Sequence, residues 1–315
     1  MKVAVLKGGK SLERGVSLRS GARVEDALGS LGHEIVSLDV GADLVSRLRD
    51  EKPDVAVIAL HGPGGEDGTV QELLEILGVP YTGPGVAACG RCADKVVAKQ
   101  LFRAAGIPTP DWFAFNSTAF GELGAADALE EIEARLGFPL VVKPSGQGSA
   151  LGVRFAADRG QIPGALVAAF SYGDRVLLER YVLGRELAIS VIDGEPLPAV
   201  EAIPHADDAY DYEARYEIGR TEFACPADLD SGEAANVAEL ATQAYTVLDC
   251  AGAVRVDMML DAEGPQLLEV NAIPGLTDTS LLPMAAEAAG MTFEGLVGRL
   301  VELALANQSE AAKLA

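Results

Sequence analysis

The apolar positions of this chain fall into two rhythms that alternate along it. KVAVL (2–6), HEIVSLDV (33–40) and DVAVIALHG (54–62) are short apolar or alternating runs, which read as strands. Between them, the stretch after KGGKSLERGVS repeats its apolar residues at helical spacing to about Leu31, and TVQELLEILG (69–78) reads as another helix. Strands alternating with helices predict a parallel sheet with helices on its faces. This N-terminal α/β unit is expected to span 1–92. From Ala93 to Gly106 one helix is predicted through KVVAKQLFRAAG, and IPTP breaks it. WFAFN then reads as a strand, Phe120 to Leu136 as an Ala/Glu-rich helix, and PLVVKP–SGQGSALG–VRFAA as strand, glycine loop, strand. A helix from about Gln161 and the strand RVLLERYV complete a smaller α+β unit, 93–182.

The remaining unit, 183–315, opens with ELAISVIDGEPLPAVEAI, which reads as a long hairpin. Residues 204–226 read as a long loop carrying Tyr210, Tyr212, Arg215 and Tyr216, and loops of that length are usually functional or disordered. A helix over 232–248 leads into RVDMMLDAEGPQLLEVN (255–271), two apolar runs around a turn, and the chain is helical from Pro283.

That last hairpin carries a polar stripe. Side chains alternate faces along a strand. A hairpin centred on Glu263 sets Asp257 opposite Glu269 and Arg255 opposite Asn271, with directly opposed Cβ atoms about 4.5–5.5 Å apart. Val256, Met258, Leu268 and Val270 are then expected on the apolar face. Two carboxylates so close repel unless a cation sits between them. Oxygen-only donors (Asp257, Glu269 and the Asn271 carbonyl) suit magnesium with phosphate. A structural salt bridge with Arg255 is the plainer alternative.

Composition narrows the function. The chain has 315 residues, about half of them hydrophobic, and a net charge of −22. That charge argues against nucleic acid and anionic membranes as partners, so a phosphate ligand must be held by local Lys or Arg groups. No signal peptide and no apolar run of membrane-spanning length is visible, so a cytoplasmic location is expected. Four cysteines make no disulfide framework; Cys89 and Cys92 form a C-x-x-C expected to open a helix, without the second pair a zinc site needs.

Several loops could carry chemistry. KPSGQGSALG (143–152) places Lys143 at a strand end before glycines whose N–H groups can approach an anion. GGKSLERGVS puts Glu13 and Arg14 after the first strand, and HGPGGEDG puts His61 and Glu66 after the third, where open α/β sheets bind ligands. Glu179, alone among apolar residues in LLERYV, could hold an adenine edge or be an ordinary strand residue. GGKS at 8–11 fails as a P-loop, because the first glycine position falls on Ala4, and GPGVAA (83–88) lies too late in its unit for a dinucleotide fingerprint.

In one order, GGKSLERGVS, HGPGGEDGT, PYTGPG, ADKVVAK, VVKPSGQGSALGV, LLERYV, YDYEARY, FACPA, RVDMML, LLEVNAIPGLT and TSLLPMAAEAAG resemble the D-alanine–D-alanine ligases of the ATP-grasp superfamily, from Met1 to about Ala304. The resemblance implies a three-domain ATP-grasp architecture whose N-terminal domain is Rossmann-like, with ATP between the central and C-terminal domains. It implies that Lys95 and Lys143 hold phosphates under the loop 145–152, that Glu179 and the backbone near Val182 meet adenine, and that Glu186 meets ribose. Asp257, Glu269 and Asn271 are expected to bind two Mg²⁺ ions, with Mn²⁺ as an alternative. Glu13 is expected to grip the first D-alanine's ammonium, with His61 nearby, and Ser149 and Tyr216 to tie the loops shut. Arg255 and the Gly275 N–H are expected to stabilise the oxyanion, and Ser280 with the Leu281 N–H to hold the second carboxylate. The implied reaction is ATP-dependent formation of D-alanyl-D-alanine through an acyl phosphate, for peptidoglycan precursors, by an enzyme whose family is often dimeric.

Three positions depart from the family pattern. Arg215 stands where Lys is usual and is expected to meet the γ-phosphate, Ala272 stands where Thr is usual, and Ala150 replaces a second loop serine. Tyr216 favours an amine over a hydroxyl nucleophile, so a dipeptide is expected. The same fold joining D-serine or another amino acid is the alternative.

Overall fold

The computed structural model of the chain describes residues 1–204 and 221–314. Three sheets organise them. The first is parallel, in the order β2-β1-β3, from β1 (Lys2–Lys7), β2 (Glu34–Asp39) and β3 (Val55–Ile58). Val3 to Leu6 and Val55 to Ile58 are buried along their whole length, as strands covered on both faces must be. The helix Arg14–Ser30 packs on one side, and a short helix Leu44–Glu51, not anticipated in the sequence, lies between β2 and β3.

The second sheet is antiparallel, β4-β7-β5-β6, from β4 (Trp112–Asn116), β5 (Leu140–Pro144), β6 (Arg154–Ala156) and β7 (Arg175–Arg180). The third runs β11-β10-β8-β12-β13, with β9 on β8: β8 (Arg185–Ile192), β9 (Glu195–Pro196), β10 (Val200–Pro204), β11 (Thr221–Ala224), β12 (Ala253–Asp261) and β13 (Gly264–Asn271). Part of the expected loop 204–226 is therefore strand: Pro204 ends β10 and 221–224 form β11, while Tyr210, Tyr212, Arg215 and Tyr216 lie outside the described residues.

The cores are unevenly shared. Leu6 and Ile58 of the first unit, with Phe102 of the helix Lys95–Ala104, pack in one cluster with Leu187, Val256, Met258 and Leu267 of the third sheet. A second cluster joins Val5 and Val57 to Leu276, Leu296 and Val301. The β4–β7 unit keeps a core of its own, from Ile132 to Leu178, with Phe115, Phe120 and Phe170 stacked or tilted against one another.

Two expected helices are corrected. The helix expected over 93–106 is Lys95–Ala104, and a separate helix, Val86–Ala93, ends just before it, because Asp94 takes extended backbone and its side chain accepts from the Val96 and Val97 N–H groups as an N-cap. Cys89 and Cys92 therefore sit within the helix that ends, not one that opens. The helix expected over 120–136 is broken into Ser117–Glu122, a 3₁₀ turn at Ala125–Ala128 and Leu129–Leu136, with Gly124 left-handed between the first two. No described helix is long and apolar enough to cross a membrane.

The β12–β13 hairpin pairs Arg255 with Asn271, Val256 with Val270 and Asp257 with Glu269, the expected rungs. Below Asp257 the register shifts, and Met258 pairs with Leu267. A bulge at Leu268 absorbs one residue, so the turn closes on Ala262–Glu263 instead of centring on Glu263. The apolar face is consequently Val256, Met258, Leu267 and Val270; Leu267 is fully buried, and the expected Leu268 is only half-buried.

Candidate active site

A cavity of about 490 Å³ opens where the three units meet. Its wall includes Glu13, His61, Lys95, Ser149, Arg255, Glu269, Asn271, Gly275, Ser280 and Leu281. Ten residues expected at the site thus share one cavity. Asp257 is buried just behind Arg255, while Lys143, Glu179, Val182 and Glu186 do not line that cavity. Arg215 and Tyr216 lie outside the described residues.

The first sheet supplies one end. Ser11 Oγ donates to the His61 carbonyl at 2.6 Å, joining the loops that follow β1 and β3. His61 Nε2 lies 3.0 Å from Ser20 Oγ, and its Nδ1 lies 3.5 Å from Glu66. Glu13 opens the helix Arg14–Ser30 and is buried. Burial and the nearby Glu66 push its carboxyl above the ordinary value of 4.5, against the pull of Ser149, His61 and Lys95. The Ser149 hydroxyl donates to Glu13 Oε1, while Oε2 is buried without a hydrogen-bond partner. A buried unpartnered carboxylate oxygen is costly, and a cationic ligand group would satisfy it.

The glycine loop closes over this end from the central unit. Lys95 Nζ donates to the Gln147 carbonyl at 2.5 Å, and the Ser145 hydroxyl donates to Asp94 at 2.6 Å. Ser149 and Ala150 both have positive φ, near 51° and 55°, a backbone region that non-glycine residues enter at a cost. Strain of this kind gathers at ligand clamps.

The third sheet supplies the floor. Arg255 grips both oxygens of Asp257, at 2.7 Å each. Lys95 Nζ lies 3.0 Å from Glu269, and Asn271 Oδ1 accepts from the Ile273 N–H. Among the described residues no cluster of three or more His, Cys, Asp or Glu forms a metal site by itself. The set Asp257, Glu269 and Asn271 nevertheless consists of hard oxygen donors on adjoining rungs. Its two carboxylates already hold cationic side chains, so the chemistry fits a divalent cation such as magnesium. Beyond the floor, Ser280 stands at the N-cap position of the helix Leu281–Ala288 without a side-chain capping bond, and the N-terminal N–H groups of that helix favour an anion. A Cβ on Gly275 would fall 2.6 Å from Ser280 Oγ, so only glycine fits there.

The sequence reading missed Lys99. It is fully buried, one helical turn after Lys95, and its Nζ lies 2.5 Å from Glu179 Oε1. Lys143 Nζ lies 2.7 Å from Oε2. Burial would raise the Glu179 carboxyl, but Lys143 and Lys99 more than reverse this and hold it below the ordinary 4.5. Burial pushes Lys99 down to about 8. The carboxylate proposed from the sequence as an adenine contact is therefore occupied by two ammonium groups. The i, i+4 spacing of Lys95 and Lys99 was the only signal in the sequence.

Three sheets around a polar cleft, with a glycine loop drawn over lysines and a shelf of oxygen donors, define an enzyme of the ATP-grasp class. The model of the D-ala D-ala ligase C-terminus matches residues 101–302, and that of the D-ala D-ala ligase N-terminus matches 42–84. A D-alanine–D-alanine ligase of Synechococcus sp. (strain JA-3-3Ab) is 46% identical over 309 residues, covering 97% of this chain and 94% of the relative. The crystal structure of the Bacillus anthracis D-alanine–D-alanine ligase superposes with a TM-score of 0.87 at 36% identity, covering 99% of both chains. The structure of the Bacillus anthracis enzyme complexed with ATP superposes at 0.84, with 34% identity and the same coverage. The chain belongs to the D-alanine–D-alanine ligase family.

Proposed function

We propose that this chain uses ATP to join two D-alanine molecules into D-alanyl-D-alanine, a peptidoglycan precursor, in the cytoplasm. Family membership supports the reaction, and the ATP complex of the similar Bacillus anthracis enzyme supports the nucleotide. The observation on this chain that carries the reading is Glu13. Its Oε2 is buried and unpartnered beside the cavity, as the ammonium group of an amino acid requires.

In this reading the three units divide at 92/93 and 182/183, and ATP lies between the second and third. Lys95 and Lys143 hold its phosphates, with Arg215 joining them, and the backbone near Val182 and the Glu186 side chain hold the nucleoside. Glu179 meets adenine through its backbone, since its carboxylate is held by Lys99 and Lys143. Asp257, Glu269 and Asn271 hold two magnesium ions, or manganese, which when bound neutralise the charge on the transferring phosphoryl group.

Glu13 and His61 orient the first D-alanine so that its carboxylate faces the γ-phosphate. Phosphoryl transfer makes that carboxylate an acyl phosphate. Ser280 and the Leu281 N–H fix the second carboxylate, leaving its amine free to attack the acyl carbon. Arg255 and the Gly275 N–H take up the charge of the tetrahedral oxyanion, which collapses with release of phosphate. Ser149, tied to Glu13, and Tyr216 hold the loops shut and keep water from the acyl phosphate.

The test is phosphate release from Mg-ATP with D-alanine, beside reactions with L-alanine, D-serine, D-lactate or no acceptor. D-alanine-dependent release, with the dipeptide identified by mass spectrometry, is expected. Release only with a different amino acid would move the substrate assignment, and preference for D-lactate near neutral pH would refute the dipeptide reading.

A further inference from the structure

Lys99 has no part in the chemistry above, yet it is one of the largest side chains buried completely among the described residues. Burying an ammonium is expensive unless it is paired. Its Nζ is 2.5 Å from Glu179 Oε1 and donates to Thr109 Oγ1 at 2.5 Å. Thr109 passes the connection on, donating to the Leu267 carbonyl at 2.7 Å. Trp112 closes the site, its ring centroid 5.1 Å from Nζ. Lys99 thus ties together the helix that carries Lys95, the strand that carries Glu179, and β13 two residues before Glu269.

The charges do not balance in pairs. One carboxylate, Glu179, faces two ammonium groups, one on each oxygen. A single lysine would suffice to pair it. The second matters if the first is called elsewhere. Lys143 stands where β5 runs into the glycine loop, and the proposed function turns it toward phosphate. Without Lys99, that turn would strand a buried carboxylate with no counter-charge. Lys99 has no exposed surface and is fixed by Thr109, so it stays.

We propose that Lys99 is a positioning residue for ATP: a fixed counter-charge that keeps Glu179 paired while Lys143 engages the phosphates. The inference rests on the ATP-binding role given above.

The test measures ATP binding to the full chain by calorimetry, so that no turnover is needed, alongside KM for ATP and for D-alanine. Lys99→Met is expected to weaken ATP, in both Kd and KM, by about tenfold or more, the scale of orphaning a buried charge. KM for D-alanine should change by less than about twofold, a split that general loosening of the fold would not produce. Adding Glu179→Gln to Lys99→Met should restore much of the ATP affinity, because no carboxylate is left to strand when Lys143 engages the phosphates. An unchanged Kd for ATP in Lys99→Met, or equal losses for ATP and D-alanine that Glu179→Gln fails to rescue, would overturn the proposal. If Lys99→Met does not fold, the double variant is compared with Glu179→Gln alone. Equal ATP affinity is expected, and a further loss of about tenfold would overturn it. A wild-type chain that binds ATP but joins no amino acids would sink the substrate reading and leave this test intact; one that binds no ATP would overturn both.

Discussion

Glu13 and Glu179 are the same side chain, both almost wholly buried, one against Ser149 in the glycine loop and the other against Lys143 where that loop begins. Their surroundings differ in sign. Glu179 has an ammonium group on each oxygen and is held ionised below the ordinary carboxylate value. Glu13 is buried near a second carboxylate, Glu66, with one hydroxyl on Oε1 and nothing on Oε2, and it is pushed above that value. The fold closes the electrostatics at Glu179 and leaves them open at Glu13. An open balance costs stability until something cationic arrives, and so Glu13 marks where a ligand belongs. Glu179 marks where the fold has already supplied the partner.

Substitution should pull the two apart. Glu179→Gln leaves two buried ammonium groups without a counter-charge and should lower the unfolding free energy by about 3–5 kcal/mol, read from chemical denaturation. Glu13→Gln should lower kcat/KM for the first amino acid by about 100-fold, roughly 2.7 kcal/mol, because the substrate's ammonium loses its charged partner. It should also stabilise the ligand-free chain at neutral pH by about 1 kcal/mol. A Glu13→Gln variant with unimpaired kcat/KM would remove the ligand role.

The pH dependence of these effects should run in opposite directions. Glu179 has a depressed value, so its contribution is present above the unfolded 4.5 and is lost as pH falls through the folded value. The deficit of Glu179→Gln should therefore shrink in acid. Glu13 has a raised value, so its protonated form favours the fold below 4.5, and that contribution is lost as pH rises through the folded value. The gain from Glu13→Gln should appear at neutral pH and vanish below 4.5. Melting measured across this range checks both. Ser149→Ala should have the smallest effect, about 0.5–1.5 kcal/mol, by removing a hydroxyl that pulls the Glu13 value down. The acid limb of kcat/KM should move to higher pH in that variant, and an unmoved limb would separate the loop from Glu13.

The difference between the two carboxylates also explains what could be read in the sequence. Glu13 and His61 follow β1 and β3 directly, and the rule that open sheets bind ligands at strand ends found both. The rungs Arg255–Asn271 and Asp257–Glu269 followed from period-two alternation. Alternation says nothing of a bulge, so Leu268 was expected in the core position that Leu267 fills. Asp94 is a good helix cap, but the apolar residues on either side hid the break between two helices. Lys99 was invisible because its partners come from elsewhere in the chain: Glu179 from β7 and Lys143 from β5, brought side by side only when those strands pair. Local pattern shows where a ligand can enter; it does not show which buried charges have been paired from a distance.

The measurement that tests this contrast most directly is the melting temperature of ligand-free Glu13→Gln and Glu179→Gln beside the wild-type chain at neutral pH. The account predicts that Glu13→Gln melts higher than wild type and Glu179→Gln melts lower. If both variants shift in the same direction, the two carboxylates are not in opposed electrostatic balance, and Glu13 loses its standing as the open position kept for a ligand.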